Sequence, residues 1–183
     1  METKFDLVVR SCGECTTSLC KELASRNKFF TGACVTVGGD SFEEVLLRSL
    51  NAAEFGEAEW TLVLDADVLV DHVRLSMLLK WAFTRPAHVG MLQAYVYDFM
   101  FNAFRSAGNH LYRKEAIQIY KQHVPVPGST LRPETDMCQA AEEHGLVWRK
   151  IPCIVGLHDF YQRPRDYYRK ARLHVKKHPR AVT

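Results

Sequence analysis

The sequence predicts an α/β fold with a mainly parallel sheet flanked by helices. Apolar runs of strand length alternate with amphipathic stretches of helix length, which is typical of this class. The 183 residues, 47% of them hydrophobic and 25% charged, are enough to bury one core. The sequence contains no internal repeat and no low-complexity segment. We therefore expect a single domain over residues 1–183, with a basic helix or tail from about residue 163.

Strands and helices alternate in the first third of the chain. The expected elements are a strand at 5–9, a helix at about 15–25, a strand at 29–37, a helix that begins at residue 42, and a strand at 60–64. The start of the second helix is marked by a capping box, with Ser41 as the cap and Glu44 three residues later. The strand at 60–64 is apolar except for Thr61, so we expect it to be buried.

The alternation continues to the end of the chain. Asp71 can cap a helix whose apolar side carries Val73, Met77, Leu78 and Trp81. The further expected elements are strands at 91–97 and 109–112, a short helix at 114–120, a proline-rich loop at 124–129, a helix at 134–144, a strand at 147–155 and a basic helix from about residue 165. Gly145 stands where a C-terminal glycine cap belongs.

Two carboxylates, Asp65 and Asp67, follow the most apolar strand. Side chains two residues apart in an extended chain point to the same side, so both can reach one site. Ligands of open α/β sheets collect at the carboxyl ends of strands, which is the position of this pair. Carboxylate oxygens suit Mg²⁺ and Mn²⁺, which leave coordination positions for substrate phosphates. The alternative is that the two aspartates only end the strand and turn the chain.

Charge and cysteine content restrict the partners and the compartment. A net charge of +3 does not predict binding to nucleic acid. No apolar run is long enough for a membrane-spanning helix, and the start does not resemble an export signal. The six cysteines are therefore expected to be reduced thiols of a cytoplasmic protein. From Arg163 onward the chain has eight basic residues, the last of them Arg180, and one acidic residue. This stretch is a solvated face, a binding module for acidic lipid or nucleic acid, or, with Tyr161, Tyr167 and Tyr168, a peripheral membrane contact.

Four motifs resemble glycosyltransferases of the GT-A fold, in particular family 2, and stand in that family's order. They are Asn51-Ala52-Ala53 with Trp60 to Val68, Ala107 to Ala116, Glu134 to Cys138 with Gly145, and Ile151-Pro152 with Gly156 to Asp159. The resemblance covers roughly residues 5 to 160. It implies a GT-A sheet and transfer of a sugar from a nucleotide diphosphate-sugar to an acceptor hydroxyl. The short chain implies minimal acceptor elements, a contribution from the loop between Pro125 and Pro133, or a homodimer partner.

The resemblance also implies roles for single residues. Asp67 would be a direct ligand of Mn²⁺ or Mg²⁺, Asp65 would contact ribose or metal, and His158 would be a further metal ligand. Most family members invert the anomeric centre by direct displacement, which requires a carboxylate base. Glu134 stands at the usual base position and Asp136 follows it. Because Pro133 and Glu134 depart from the family pattern of Glu-Asp, the base stays open between Glu134 and Asp136.

The nucleotide is expected over the ends of the first strands. Arg10 and Ser11 follow strand one and are candidates for contacts to base or phosphate. Asp40 is the nearest match to an acidic residue that binds the base in many relatives, although it can instead cap its helix. Arg163 and Arg165 are candidates for the diphosphate, and the alternative for both is a solvated helix start.

Two other functions compete with glycosyl transfer. A nucleotidyltransferase would bind similar ligands, but it would normally carry a Gly-rich loop with Arg or Lys after strand one. The residues Ser11 to Glu14 supply little of such a loop. A thioredoxin-like redox protein would use Cys12 and Cys15, which lie between a strand and a helix. That function leaves Asp65, Asp67 and His158 without a role.

Overall fold

Eight strands form one sheet in the computed structural model, which describes residues 4–177 apart from the Lys177 side chain. The strands are β1 (Phe5–Arg10), β2 (Phe30–Val37), β3 (Trp60–Asp65), β4 (Val68–Val70), β5 (Val89–Asp98), β6 (Ala103–Arg105), β7 (Asn109–Arg113) and β8 (Val147–His158). Residues 1–3 lie outside the described residues. Arg180, which belongs to the predicted basic tail, also lies outside them.

The sheet is mixed, and its longest pairings are parallel. The strand order is β2-β1-β3-β7-β5-β8-β4, and β6 pairs with β5. β1 runs parallel to β2 and β3, and β5 runs parallel to β8. The antiparallel pairings involve β7 and the short strands β4 and β6. The predicted α/β class with a mainly parallel sheet is confirmed.

Helices cover both faces of this sheet. They are α1 (Thr17–Ser25), α2 (Phe42–Phe55), α3 (His72–Ala82), α4 (Ile117–Gln122), α5 (Pro133–Glu142) and α6 (Pro164–Lys177), and a 3₁₀ turn at Lys114–Ala116 precedes α4. One core cluster joins the sheet to α1 and α3 through buried residues such as Cys20 and Leu79. A second cluster joins it to α2, α4 and α5 through residues such as Leu50, Tyr120 and Met137.

Local capping signals determine where several helices begin and end. The Ser41 hydroxyl accepts the backbone N–H of Glu44 at 3.1 Å, as the capping box predicts. The Glu44 carboxylate accepts the N–H of Asp40 at 2.9 Å, one residue before the expected donor. The Asp71 carboxylate accepts the N–H groups of Val73 and Arg74. Gly145 lies after α5 with a φ of +77°, a conformation that glycine adopts without strain.

The fold differs from the sequence prediction in two places. The three-residue strands β4 and β6 were not expected, because runs this short carry no usable periodicity. The predicted inner side of α3 is wrong for three of its four residues, since Val73, Met77 and Trp81 are exposed and Leu78 is buried. Its buried side chains are Leu75, Leu78, Leu79 and Ala82. Both sides of this helix are apolar in sequence, so only packing against the sheet decides which one is buried.

Candidate active site

A tight turn at the end of β3 positions the acidic pair. β3 ends at Asp65, and the turn residues Ala66 and Asp67 lead directly into β4. The N–H of Asp65 donates to the Gly108 carbonyl at 2.8 Å, and that of Ala66 donates to the Arg10 carbonyl at 2.9 Å. The prediction that Asp65 and Asp67 share one side of an extended chain is therefore wrong. Their proximity comes from the turn.

β4 brings the predicted histidine to the two aspartates. β4 pairs antiparallel with β8, and Val68 lies opposite His158 in the register. Ligand atoms of Asp65, Asp67 and His158 consequently lie within 4.8 Å of one another. Three residues that the resemblance implied as metal ligands are thus assembled by a strand that was not predicted.

One oxygen of the buried Asp67 carboxylate accepts hydrogen bonds. Asp67 is 5% exposed, and its Oδ2 accepts from Lys170 Nζ and, at 3.3 Å, from Gln162 Nε2. Within residues 4–177, its buried Oδ1 has no hydrogen-bond partner. His158 Nε2 lies 3.5 Å from this oxygen. Burial by itself raises the pKa of Asp67, but the charges of His158 and Lys170 outweigh burial and lower it.

A second carboxylate orients His158. His158 Nδ1 lies 2.8 Å from Oδ2 of the fully buried Asp98 and 3.2 Å from Oδ2 of Asp159. Burial alone lowers the pKa of His158, but the Asp98 hydrogen bond and the charges of Asp67 and Asp159 raise it overall. Because Nδ1 faces Asp98, Nε2 points toward Asp67. A carboxylate behind a histidine is the usual support of a metal-ligating imidazole.

The donor set fits a divalent cation. A buried carboxylate oxygen without a hydrogen-bond partner is costly unless it serves a ligand. Two carboxylates and an oriented imidazole suit Mn²⁺ or Mg²⁺. Asp65, Asp67 and His158 are the residues that would hold such an ion. When bound, it would supply neutralising charge for a phosphate-bearing leaving group.

A buried arginine joins the acidic pair to the predicted base. Arg10 is 3% exposed, and its Nε donates to Asp65 Oδ1 at 2.7 Å while its Nη1 donates to Glu134 Oε1 at 2.5 Å. Burial opposes its charge, but Asp65 and Glu134 more than compensate and raise the pKa of Arg10. Arg10 was expected to contact the nucleotide, which stays a prediction. Its shortest contacts in the structure are with the two carboxylates, and its Nη2 also lies 3.4 Å from His110 Nδ1.

His110 is a site residue that the sequence analysis missed. It lies 3.2 Å from Glu134 Oε1 through Nδ1 and 2.8 Å from Gln93 Nε2 through Nε2. Burial lowers the pKa of His110, and the attraction of Glu134 does not offset this effect. A buried histidine of this kind is favoured in its neutral form. It lies in the motif at 107–116 and could have been found there, as Asp98 could from its place at the end of β5.

A cavity of about 370 Å³ opens between the sheet and the N-terminus of α5. Its lining includes Asp65, Gln93, His110, Glu134, Trp148 and Lys150. Asp136 does not line this cavity, and its carboxylate accepts a hydrogen bond from the Thr130 hydroxyl. Of the two candidate bases, Glu134 is therefore the one that faces space for a substrate.

Of the remaining predicted nucleotide contacts, Ser11 is hydrogen-bonded and the other three are exposed. Ser11 Oγ is 3.0 Å from the Glu14 carboxylate and 2.9 Å from the Thr17 hydroxyl. Asp40, Arg163 and Arg165 are exposed. Their roles toward base or diphosphate stay predictions. No helix within residues 4–177 combines the length and apolarity that crossing a membrane requires.

Comparisons with known proteins identify structures of similar fold. No protein-family model and no curated protein matches the sequence. A CMP:2-keto-3-deoxy-manno-octonic acid synthetase complexed with CTP matches at 12% identity and a TM-score of 0.60, over 96% of this chain and 100% of that one. A cytidylyltransferase from Leptospira borgpetersenii matches at 12% identity and 0.61, over 97% and 96%. The chain has the fold of these nucleotide-dependent transferases.

A glycosyltransferase shares the same fold. Glucosyl-3-phosphoglycerate synthase from Mycobacterium tuberculosis, in complex with Mn²⁺, UDP and glucosyl-3-phosphoglycerate, matches at 11% identity. The TM-score is 0.57, over 96% of this chain and 80% of that one. At such identities the comparisons show the GT-A-like fold and no particular activity. This fold differs from the thioredoxin-like fold, so the comparisons exclude the latter. All six cysteines, including Cys12 and Cys15, are free thiols.

Proposed function

We propose that the protein is a metal-dependent, family 2-like glycosyltransferase that transfers a sugar from a nucleotide diphosphate-sugar to an acceptor hydroxyl. One observation carries the proposal: the ligand group of Asp65, Asp67 and His158 lies beside a cavity lined by Glu134. A cation site and a base at one cavity are the two parts that this reaction needs. The resemblance of four motifs to family 2 supports it independently.

The reaction is a direct displacement that inverts the anomeric centre. Glu134 accepts the proton of the acceptor hydroxyl while the acceptor oxygen forms a bond to the anomeric carbon. The bond from that carbon to the diphosphate oxygen breaks, and the nucleotide diphosphate leaves with the electron pair. Arg10 and His110 hold Glu134 in place, at 2.5 and 3.2 Å respectively. Asp65, Asp67 and His158 would hold an ion, which would offset the charge of the leaving diphosphate.

A nucleotidyltransferase is the second candidate. The match to two cytidylyltransferase-type structures over nearly their whole lengths favours it. In that reaction an acceptor oxygen attacks the α-phosphorus of a nucleoside triphosphate and pyrophosphate leaves. The same carboxylates would then hold the ion on the triphosphate. The loop from Ser11 to Glu14 lacks the Arg or Lys expected for such a substrate.

Ligand-dependent stabilisation tests the proposal. Nucleoside diphosphates, their sugars and CTP are screened by thermal shift with and without Mn²⁺. A ligand at about 100 times its Kd should stabilise the fold by about 2.7 kcal/mol, because it binds only the folded state. We expect stabilisation that requires Mn²⁺ and is lost in Asp67→Asn. The exposed Glu115→Gln variant is the matched control and should keep it.

The products then separate the candidates. A glycosyltransferase given its sugar nucleotide releases a nucleoside diphosphate, whereas a nucleotidyltransferase given CTP and a sugar releases pyrophosphate. Pyrophosphate release without glycosyl transfer would replace the first candidate by the second. Absence of any metal-dependent ligand would contradict both.

A further inference from the structure

Helix α6 places a lysine ammonium on the carboxylate that we assign to the metal. Lys170 Nζ donates hydrogen bonds to Asp67 Oδ2 and to Asp159 Oδ1. The Lys170 side chain is 17% exposed, while those of Asp67 and Asp159 are 6% and 2% exposed. This is an ion-pair network inside the site, unlike the solvated charges that cover most of α6.

Residues 162–174 cross the candidate site. Gln162 Nε2 donates to Asp67 at 3.3 Å, and Arg169 lies 4.0 Å from Glu14 in the loop after β1. At the other end, the His174 ring contacts the Phe101 ring, with their centroids 4.4 Å apart. Residues 162–174 therefore extend from the loop after β1, over Asp67, to the turn between β5 and β6. We call this segment the strap.

The acidic residues beneath the strap need a cation. Asp67, Asp98 and Asp159 meet around His158, and Asp98 is paired with Arg105 at 3.4 Å. Lys170 bonds to the remaining two and supplies one positive charge to them, since buried carboxylates require a partner charge. Asp159 also has a φ of +58°, which is uncommon for a residue other than glycine and points to a functional constraint.

A divalent ion and Lys170 need the same carboxylate. The ion would use Asp67 together with Asp65 and His158, and the ammonium already bonds to Asp67 Oδ2. A cation on Oδ1 would repel the ammonium at close range in a site from which water is largely excluded. Binding of a divalent ion to the Asp67 carboxylate therefore opposes the hydrogen bond between Lys170 and Asp67.

We propose that Lys170 is a tethered cation that competes with the divalent ion for Asp67, so that the strap closes the site when Lys170 binds and opens when the ion binds. The inference rests on the proposed function, because the ion is the one used in glycosyl transfer. Pairing of Lys170 with Asp67 lowers the fraction of molecules that can take the ion, and it weakens the apparent metal affinity accordingly. The strap thereby links metal binding to access of the nucleotide.

Direct measurement of Mn²⁺ binding tests this competition without reference to activity. Mn²⁺ titrations followed by electron paramagnetic resonance are made on wild type, Lys170→Gln, Lys170→Arg and the exposed Lys176→Gln. We expect Lys170→Gln to bind at least about tenfold more tightly, because the competing charge is removed. Lys170→Arg keeps the charge and Lys176→Gln lies elsewhere, so both should stay near wild type.

Hydrogen exchange of the strap gives a second measurement. Mn²⁺ should accelerate exchange of the amides at 164–174 in wild type, while in Lys170→Gln they should exchange fast without it. The inference would be overturned if Lys170→Gln had unchanged Mn²⁺ affinity. It would also be overturned if Mn²⁺ did not change the hydrogen exchange of the strap amides. Both results would leave the proposed function standing. Loss of Mn²⁺ binding in Lys170→Gln would also overturn the inference, since Lys170 would then support the ion. Full Mn²⁺ affinity in Asp67→Asn would remove the proposed metal site itself.

Discussion

Arg10 and Glu134 are joined by a 2.5 Å hydrogen bond, although 124 positions separate them in the sequence. The same guanidinium donates to Asp65 at 2.7 Å. One buried cation at the end of β1 therefore holds together an aspartate of the proposed metal site and the proposed base.

Replacing Arg10 should destabilise the protein strongly. Arg10→Met leaves Asp65 and Glu134 without their buried partner, and we expect a loss of about 3 kcal/mol in the free energy of unfolding. Urea denaturation measures this loss. Arg26→Met is the matched control, because the Arg26–Glu22 pair is more than half exposed on both sides. Such surface pairs contribute at most about 1 kcal/mol. Equal effects of the two changes would contradict the structural role of Arg10.

Glu134→Gln should separate binding from chemistry. The change keeps the shape of the side chain but removes the proton acceptor, so turnover should fall by about 10² to 10⁴-fold. Metal-dependent nucleotide binding, measured by thermal shift, should remain. Asp136→Asn is the control, since Asp136 bonds to Thr130 and does not line the cavity. A large loss of turnover only in Asp136→Asn would transfer the role of base to that residue.

Gly108→Ala should weaken the metal site through Asp65. Gly108 has a φ of +61°, and an added Cβ would lie 2.6 Å from Val68 Cγ2 and 3.0 Å from Asp65 Oδ2. We expect a loss of about 1–3 kcal/mol in stability from backbone strain, together with weaker Mn²⁺ binding as Asp65 shifts. Gly128→Ala shares the positive φ, +78°, but a Cβ there meets nothing within 4 Å. It should lose stability only. Unchanged Mn²⁺ affinity in Gly108→Ala would contradict this effect of Gly108 on the metal site.

The stability conferred at His110 should depend on pH. Burial lowers the pKa of His110 below its ordinary value of 6.5, so the unfolded chain takes up this proton at a higher pH than the folded protein. The contribution of His110 to stability is therefore fully present at a pH above its ordinary pKa. It declines as the pH falls toward the pKa in the folded protein, by at most about 1.4 kcal/mol per pH unit.

His110→Gln isolates this contribution. Glutamine does not titrate, so the stability advantage of wild type over the variant should shrink as the pH falls. Urea denaturation of both proteins at about pH 7.5 and about pH 5.5 measures the change. An advantage that stays constant or grows toward low pH would show that His110 is charged in the folded protein.

The sequence by itself determined most of the elements and the first half of the site. Apolar runs and capping residues such as Ser41 and Asp71 act over a few positions, so the six longer strands, the helices and the end of β3 at Asp65 could be predicted from local pattern. Glu134 and His158 came from the order of the motifs. The same patterns did not decide which side of α3 is buried, because both of its sides are apolar.

Only the tertiary structure decided how these residues act together. The turn at Ala66 and Asp67 and the pairing of β4 with β8 bring His158 to the aspartates, and neither has a periodic signature. Arg10 bonds to two carboxylates that lie far from it in the sequence, and its predicted contact with a nucleotide stays a prediction. In the sequence, Lys170 does not differ from the other basic residues of its stretch. In the structure, α6 positions its ammonium against Asp67. Ion pairs between distant positions depend on where the chain folds back, and charge alone does not select the partner.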